Sequence, residues 1–384
     1  MSFPVTYLLD QLAPSETFIR RELEQLRRRN WPVFTRLLKG GIGPLKHSLK
    51  SCPEGFRLRF IKAACWRVSE EILRSPIAAL RILKRLPQAA YLAKKTVDTE
   101  SQLIHAHFAG ITADLAAIVA RTLGLPWTCS VHAHDVFMAS PASLARRLHT
   151  AKRITACSQR AVQKLIDSGV PAERVVLIRH GLPINDFAFD IIQPDEVIFA
   201  AGRLEPKKGI DTLVRACAVL QTRKVPFTCV IAGSGSQMKA LKKLTEKLEL
   251  ENSVYFIGWQ SQEETRSHLM DASVLAVPSR CTLHGDSDGI PNILVEALAL
   301  GTPVVTTTAS AANEVVVDSV NGLLVQPDNP ELLANALASL LASKELRIRL
   351  ARSGRLTAEQ FFDSSKNIQQ LETFFTQAVE PAAP

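Results

Sequence analysis

The sequence predicts an α/β protein of two doubly wound parallel-sheet domains, and three observations carry this. Short apolar runs alternate with helix-length amphipathic stretches along almost the whole chain. The runs are bounded by Gly, Pro and Ser, as strands buried on both faces of a parallel sheet are. They fall into two series separated by one aperiodic stretch, which gives two β-α-β arrays rather than one. A chain of 384 residues suits two domains of ordinary size. Its 46% hydrophobic and 22% charged content excludes a disordered or low-complexity protein.

The first series places strands at Val5–Leu9, Val33–Leu38, Leu103–His107, Trp127–Val131, Ile154–Cys157 and Val175–Ile178. Residues 40–97 interrupt it with helical, basic sequence and no convincing central strand. Within that insertion, Ser75-Pro76 reads as a helix cap and first turn. The helix after it sets Ile77, Leu80, Leu83 and Leu86 near one face and Arg81, Lys84 and Arg85 elsewhere. Such a helix can lie on an anionic membrane surface, or simply pack on its own domain with a solvated basic face; the second reading is preferred. The stretch from Asp186 to Glu196 lacks periodicity and is read as the linker, giving a first domain over 1–188. The second series runs Val197–Ala201, Phe227–Ala232, Val254–Ile257, Val274–Val277, Val304–Thr307 and Leu323–Val325, a domain over 189–360. A final helical run carries Phe361, Phe362, Phe374 and Phe375, which need burial; residues 361–384 are expected to return to the first domain.

Charge divides the halves. Residues 1–190 hold 28 Lys and Arg against 15 Asp and Glu, and the remainder 18 against 22. A basic front half fits an anionic membrane surface or an acidic acceptor. Nucleic acid is not expected, because the basic residues are not interleaved with stacking aromatics. Seven scattered cysteines without a C-x-x-C pair point to a reducing, cytoplasmic setting and no structural metal. No apolar run is long enough to span a bilayer, and the N-terminus lacks a secretory signal pattern.

Candidate chemistry clusters after strands, where open α/β sheets bind ligands. In GDSDGIPNILVEALALGTPVV, Asp288 lies in a loop and Glu296 in the following helix, with seven residues between. Gly289 removes side-chain bulk, Pro291 suits the first helical turn, and the backbone at Gly289 and Ile290 can meet a phosphate. Glu296, in an apolar helix, is expected to be buried and paired, with ribose hydroxyls as one partner. GRLEPKKGIDTL supplies Arg203 and Lys208, a cation pair suited to a diphosphate. Gly233 in IAGSGSQ agrees in position with a nucleotide site, though a lone Gly-x-Gly is weak evidence. The first domain offers His107 in IHAHF and His132 in SVHAHDVF. His105, His107, His132, His134 and Asp135 could nominally hold zinc, and Asp286-x-Asp288 imitates a metal-diphosphate motif; neither reading is preferred.

At these residues the chain resembles the retaining glycosyltransferases of family 4, with the GT-B architecture of two Rossmann-like domains facing a cleft. Asp288 and Glu296 take the places of the family's spaced acid pair, Asp288 standing where Glu is more usual. Arg203 and Lys208 correspond to its donor cations, and His132 to its active-site histidine. The opening APSETF, with Ser15 and Glu16, is similar to colanic-acid and other exopolysaccharide enzymes; with His107 these are acceptor-side candidates. Helix capping explains Ser15-Glu16 equally well. The resemblance implies a nucleotide-sugar donor, a glycan or lipid-linked acceptor, and front-side displacement without a cofactor or metal. The alternatives are a non-catalytic protein that binds anionic surfaces, and another GT-B enzyme such as an epimerase.

Overall fold

A computed structural model describes residues 2–10, 16–38, 49, 52–189, 196–283 and 285–380. Elements divide into two compact units, one running to Gly181 and resuming at Ser364, the other spanning Leu182–Asp363. Ser15 and residues 190–195 of the expected linker lie outside the described residues. The first division falls a few residues ahead of the expected 188/189 boundary. Its cause is packing: Leu182, Ile184 and Phe187 bury in the core of the second unit.

The first domain holds a parallel sheet in the order β2-β1-β3-β4-β5-β6. Its strands are β1 (Val5–Leu9), β2 (Val33–Leu37), β3 (Leu103–His107), β4 (Trp127–Val131), β5 (Arg153–Ala156) and β6 (Val175–Leu177). Side-chain alternation gives each face its own core. Leu8, Ile104, Ala106, Cys129 and Ile154 face one layer; Val5, Tyr7, Leu9 and Leu103 face the other. That second layer takes α1 (Thr17–Arg28), through Ile19, Leu23 and Leu26, and the terminal helix (Ser364–Val379), through Phe374 and Phe375.

The insertion forms α2 (Glu54–Ile72) and α3 (Pro76–Asp98), which pack with α4 (Ile111–Leu123). Arg67 of α2 is 1% exposed, and its guanidinium bonds Asp114 of α4 and Glu70 and Glu71 of its own helix. A buried cation requires such partners. The packing face of α3 is Ala78, Ala79, Ile82, Ala89, Ala90 and Ala93. Of the apolar stripe read from the sequence, Ile77, Leu80 and Leu83 are instead exposed at 68%, 51% and 45%, while Leu86 is half-buried against the core. Small residues let the helix approach its neighbours closely, which turns the larger ones outward.

The second domain holds a parallel sheet in the order β12-β11-β10-β7-β8-β9. Its strands are β7 (Val197–Ala201), β8 (Thr228–Ala232), β9 (Val254–Gly258), β10 (Val274–Val277), β11 (Val304–Thr307) and β12 (Leu323–Val325). The C-terminal run breaks at Phe362–Asp363 between helices Lys344–Phe361 and Ser364–Val379. Phe362 buries in the second domain, Phe374 and Phe375 in the first, while Phe361 is 41% exposed. Among the described residues no helix is long and apolar enough to cross a membrane.

Candidate active site

In the second sheet the chain winds one way from β7 to β8 and the other way to β10, so the switch point lies between the ends of β7 and β10. Crevices form at such a point. Here a small hollow is lined by Gly202, Arg203, Lys208, Ser279, Pro291 and Ile293. Lys208 Nζ donates to Asp288 Oδ2 at 2.7 Å, and Ser279 Oγ donates to the same oxygen at 3.0 Å. Lys207, 6% exposed, donates to Asp286 Oδ1 at 3.0 Å and lies 3.8 Å from Asp288 Oδ1. Burial alone would raise the Asp288 carboxyl, but Lys208, Lys207 and Ser279 outweigh it and hold the group below its ordinary value. The two acids of the Asp-x-Asp sequence are therefore each held by a lysine. Neither Lys207 nor Ser279 stands out in the sequence; a lysine beside Lys208 and a serine just past a strand leave no spacing signal.

Backbone geometry builds the lysine loop. Gly209, at φ 65°, caps the helix Ile210–Thr222, and a side chain there would meet the Pro278 carbonyl. Arg280 N bonds Lys207 O, stitching the lysine loop to the segment after β10. Gly233, at φ 132°, lies so close to Gly202 that a Cβ would sit 1.8 Å from its carbonyl oxygen. That close approach is a packing requirement in its own right. Arg203 is exposed and pairs with Glu205 at 3.0 Å. Gly289 and Ile290 are half-buried in the bend before the helix Asn292–Leu300. Pro291 is the cap of that helix rather than its first residue, with ψ 129°. Glu296 is half-buried, not buried as expected, because its place on the helix turns away from the apolar face formed by Leu294, Ala297 and Leu298.

The first sheet has its own switch point, between β1 and β3. There a hydrogen-bonded series runs Tyr7–Glu22–His107–His132. Tyr7 Oη donates to Glu22 Oε1 at 3.0 Å; burial, reinforced by Glu22, pushes the phenol up and keeps its proton in place. His107 Nε2 lies 3.2 Å from the same Glu22 oxygen, and His107 Nδ1 lies 3.2 Å from His132 Nε2. A carboxylate only accepts, so His107 Nε2 carries a proton; when that is the ring's single proton, its Nδ1 accepts from His132 Nε2–H. The series thus leaves His132 Nδ1 as a bare lone pair, and that buried atom has no hydrogen-bond partner. Burial, with His180 and His107 nearby, pushes His132 well below the ordinary histidine value, so its ring is neutral. Asp135 anchors the turn, accepting from His132 N at 2.8 Å and from Ala109 N. Phe18 packs on His132 and stacks on His180.

Of the five groups in the zinc reading, the fold separates the roles. His105 is fully buried with Nδ1 bonded to Thr128 and Nε2 to Ser130, a core histidine. His134 is exposed. Glu16 precedes α1 and is half-buried. Glu22 gives no signal in the sequence because it sits among charged residues of an amphipathic helix, where a carboxylate reads as a solvated face.

Two family patterns match adjoining parts of the chain: residues 15–186 match the pattern described as Glycosyltransferase Family 4, and residues 183–357 that described as Glycosyl transferases group 1. The amylovoran biosynthesis glycosyltransferase AmsK of Erwinia amylovora is 30% identical over 211 residues, 54% of this chain and 52% of that protein. WcaL of Escherichia coli K12, named for colanic acid biosynthesis, is 34% identical over 180 residues, 46% of this chain and 44% of its own. The match thus spans about half the length of these relatives. Among solved structures, Anabaena Alr3699/HepE in complex with UDP superposes with TM-score 0.72 at 20% identity, covering 98% of this chain and all of that one. Sucrose-phosphate synthase of Thermosynechococcus elongatus gives 0.74 at 19% identity over 98% of both chains. These likenesses show a GT-B fold.

Proposed function

The chain belongs to the glycosyltransferases of family 4 and group 1, and from that membership we propose that it moves a sugar, with retention, from a nucleoside-diphosphate sugar to a glycan or lipid-linked glycan in exopolysaccharide or cell-surface polysaccharide synthesis. The observation that carries this reading is the Lys208–Asp288–Ser279 cluster at the switch point of the second sheet. Its ammonium group is fixed before any ligand arrives. A fixed cation stabilises charge developing on a departing diphosphate without reorganising. Arg203 supplies a second cation, the backbone at Gly289 and Ile290 further donors, and Glu296 an acceptor for ribose hydroxyls. In this reading the leaving phosphate oxygen takes the acceptor proton as the new glycosidic bond forms on the same face. Side-chain cations do the work of charge neutralisation, so no metal is required. His132 Nδ1 accepts a hydrogen bond from a substrate hydroxyl.

The acceptor class draws support from the insertion. Helices α2 and α3 and the turn between them expose Leu58, Ile61, Leu73, Ile77, Leu80 and Leu83 beside exposed Arg57, Lys62, Arg74, Arg81 and Lys84. Apolar residues set among cations suit an anionic bilayer surface, where lipid-linked acceptors reside. Flotation with phosphatidylglycerol vesicles, but not with phosphatidylcholine alone, is the expected result; equal recovery with both contradicts it.

Thermal stability against UDP, GDP, ADP and CMP, with and without chelator, tests the donor site. UDP leads the panel because the Anabaena protein is described as bound to UDP and to UDP-glucose. A chelator-insensitive rise with one diphosphate nucleotide is expected, since a ligand that binds only the folded state stabilises it. No rise with any of them, from folded protein, contradicts the reading.

A further inference from the structure

Two groups with lone pairs stand beside His132, whose buried Nδ1 has no hydrogen-bond partner. Cys157 follows β5 and His180 follows β6, and both are half-buried, so solvent reaches them. One ligand atom from each of His132, Cys157 and His180 lies within 4.8 Å of the other two. Cys157 forms no disulfide. Three separate strand ends therefore bring two imidazoles and a thiol to one point.

A second cluster of the same tightness, Glu22, His105 and His107, provides the control. Both nitrogens of His105 are bonded to Thr128 and Ser130, and both of His107 to Glu22 and His132. That cluster is a saturated hydrogen-bond network. Only at His132 does a buried ring nitrogen have no partner among the described residues of the two clusters.

Two nitrogens and one sulfur are a donor set that zinc accepts, with the fourth tetrahedral position left to water or substrate. Bond lengths of about 2.0–2.3 Å put tetrahedral donors roughly 3.5 Å apart, so the three atoms need close by only about 1 Å. Zinc takes imidazole lone pairs and a thiolate, so any proton on the Cys157 sulfur passes to solvent as the zinc–sulfur bond forms.

We propose that His132, Cys157 and His180 form a zinc site that switches the enzyme off by occupying the His132 lone pair. Metal binding stands on this geometry alone; the inhibitory consequence rests on the transferase reading above. The two are tested separately. Chelator-treated full-length protein is titrated with Zn²⁺ in competition with a chromogenic chelator, and with Co²⁺ as a spectroscopic probe. One equivalent of Zn²⁺ should bind, and Co²⁺ should give a near-ultraviolet thiolate charge-transfer band. Cys157→Ser should abolish the band, and Cys157→Ser and His180→Asn should each weaken zinc binding by roughly tenfold or more. Circular dichroism checks that the variants fold; should Cys157→Ser not fold, the wild-type cobalt spectrum and His180→Asn still decide. No thiolate band, or zinc binding unchanged in both variants, overturns the site. Zinc should also suppress nucleoside diphosphate release by the wild type, with recovery on adding chelator. Saturated zinc binding with undiminished release overturns the switch. Protein that binds zinc as stated but never releases nucleotide from any donor overturns the transferase reading and with it the switch, leaving the metal site standing.

Discussion

Each domain places polar side chains at the switch point of its sheet, but the two points are filled with different chemistry. In the second domain two lysines face two aspartates, and every charge at Lys207, Lys208, Asp286 and Asp288 has an opposite partner. In the first domain a phenol and two imidazoles are strung along the Glu22 carboxylate, and the series ends in a lone pair. Paired charges suit a polyanion that can replace one member of the pair. A neutral, desolvated acceptor suits a hydroxyl. The same β-α-β architecture thus supplies a candidate donor site and a candidate acceptor site, separated by which residue types follow the strands.

Mutations in each domain test this contrast. The largest expected effect on stability is at Gly233, where the second domain depends on backbone proximity rather than on charge. Gly233→Ala puts a Cβ 1.8 Å from the Gly202 carbonyl at φ 132° and should cost roughly 3 kcal/mol of stability by denaturant unfolding. Gly258, at φ 75°, has nothing within 4 Å of where a Cβ would stand, and should cost only about 1 kcal/mol as alanine. Equal costs at the two positions would mean that the Gly202–Gly233 contact is not what fixes the loop.

Next comes the histidine series. Glu22→Gln removes the obligate acceptor that sets the tautomer of His107 and, through it, that of His132. Turnover should fall roughly tenfold to a hundredfold and its pH profile should change, while nucleotide binding by the second domain stays as in the wild type. A matching loss of nucleotide affinity would erase the division of labour between the domains.

The smallest effect is a pH dependence. The folded state holds His180 at about 4, below the unfolded value of about 6.5. As pH falls through that window the unfolded chain takes up the proton first, so stability is lost on acidification. Wild type should lose about 1–2 kcal/mol more than His180→Asn between pH 7 and pH 4.5. Parallel curves would show that His180 is not held neutral by the fold.

The architecture was legible because buried parallel strands leave compact apolar runs: all twelve strands lie where the sequence placed them, within a residue or so at their ends. Positions at strand ends were legible too, as with Lys208, Asp288, His107 and His132. What could not be read was partnership. That Lys208 grips Asp288, some eighty residues on, follows from which loops the sheet order brings together. Glu22 and Ser279 join their sites through side-chain direction, which composition does not record. The apolar stripe of α3 is plain in the sequence, but its direction is not, since alanines can form a packing face as readily as leucines.

Lys208 is the proposed fixed cation of the donor site. Release of nucleoside diphosphate from the preferred nucleotide sugar, compared between wild type and Lys208→Ala, tests it most directly. The expected result is a fall of roughly a hundredfold to a thousandfold in protein that circular dichroism shows to be folded, with a lowered melting temperature because buried Asp288 keeps only Lys207 and Ser279. Undiminished release from a folded Lys208→Ala protein would contradict the assignment.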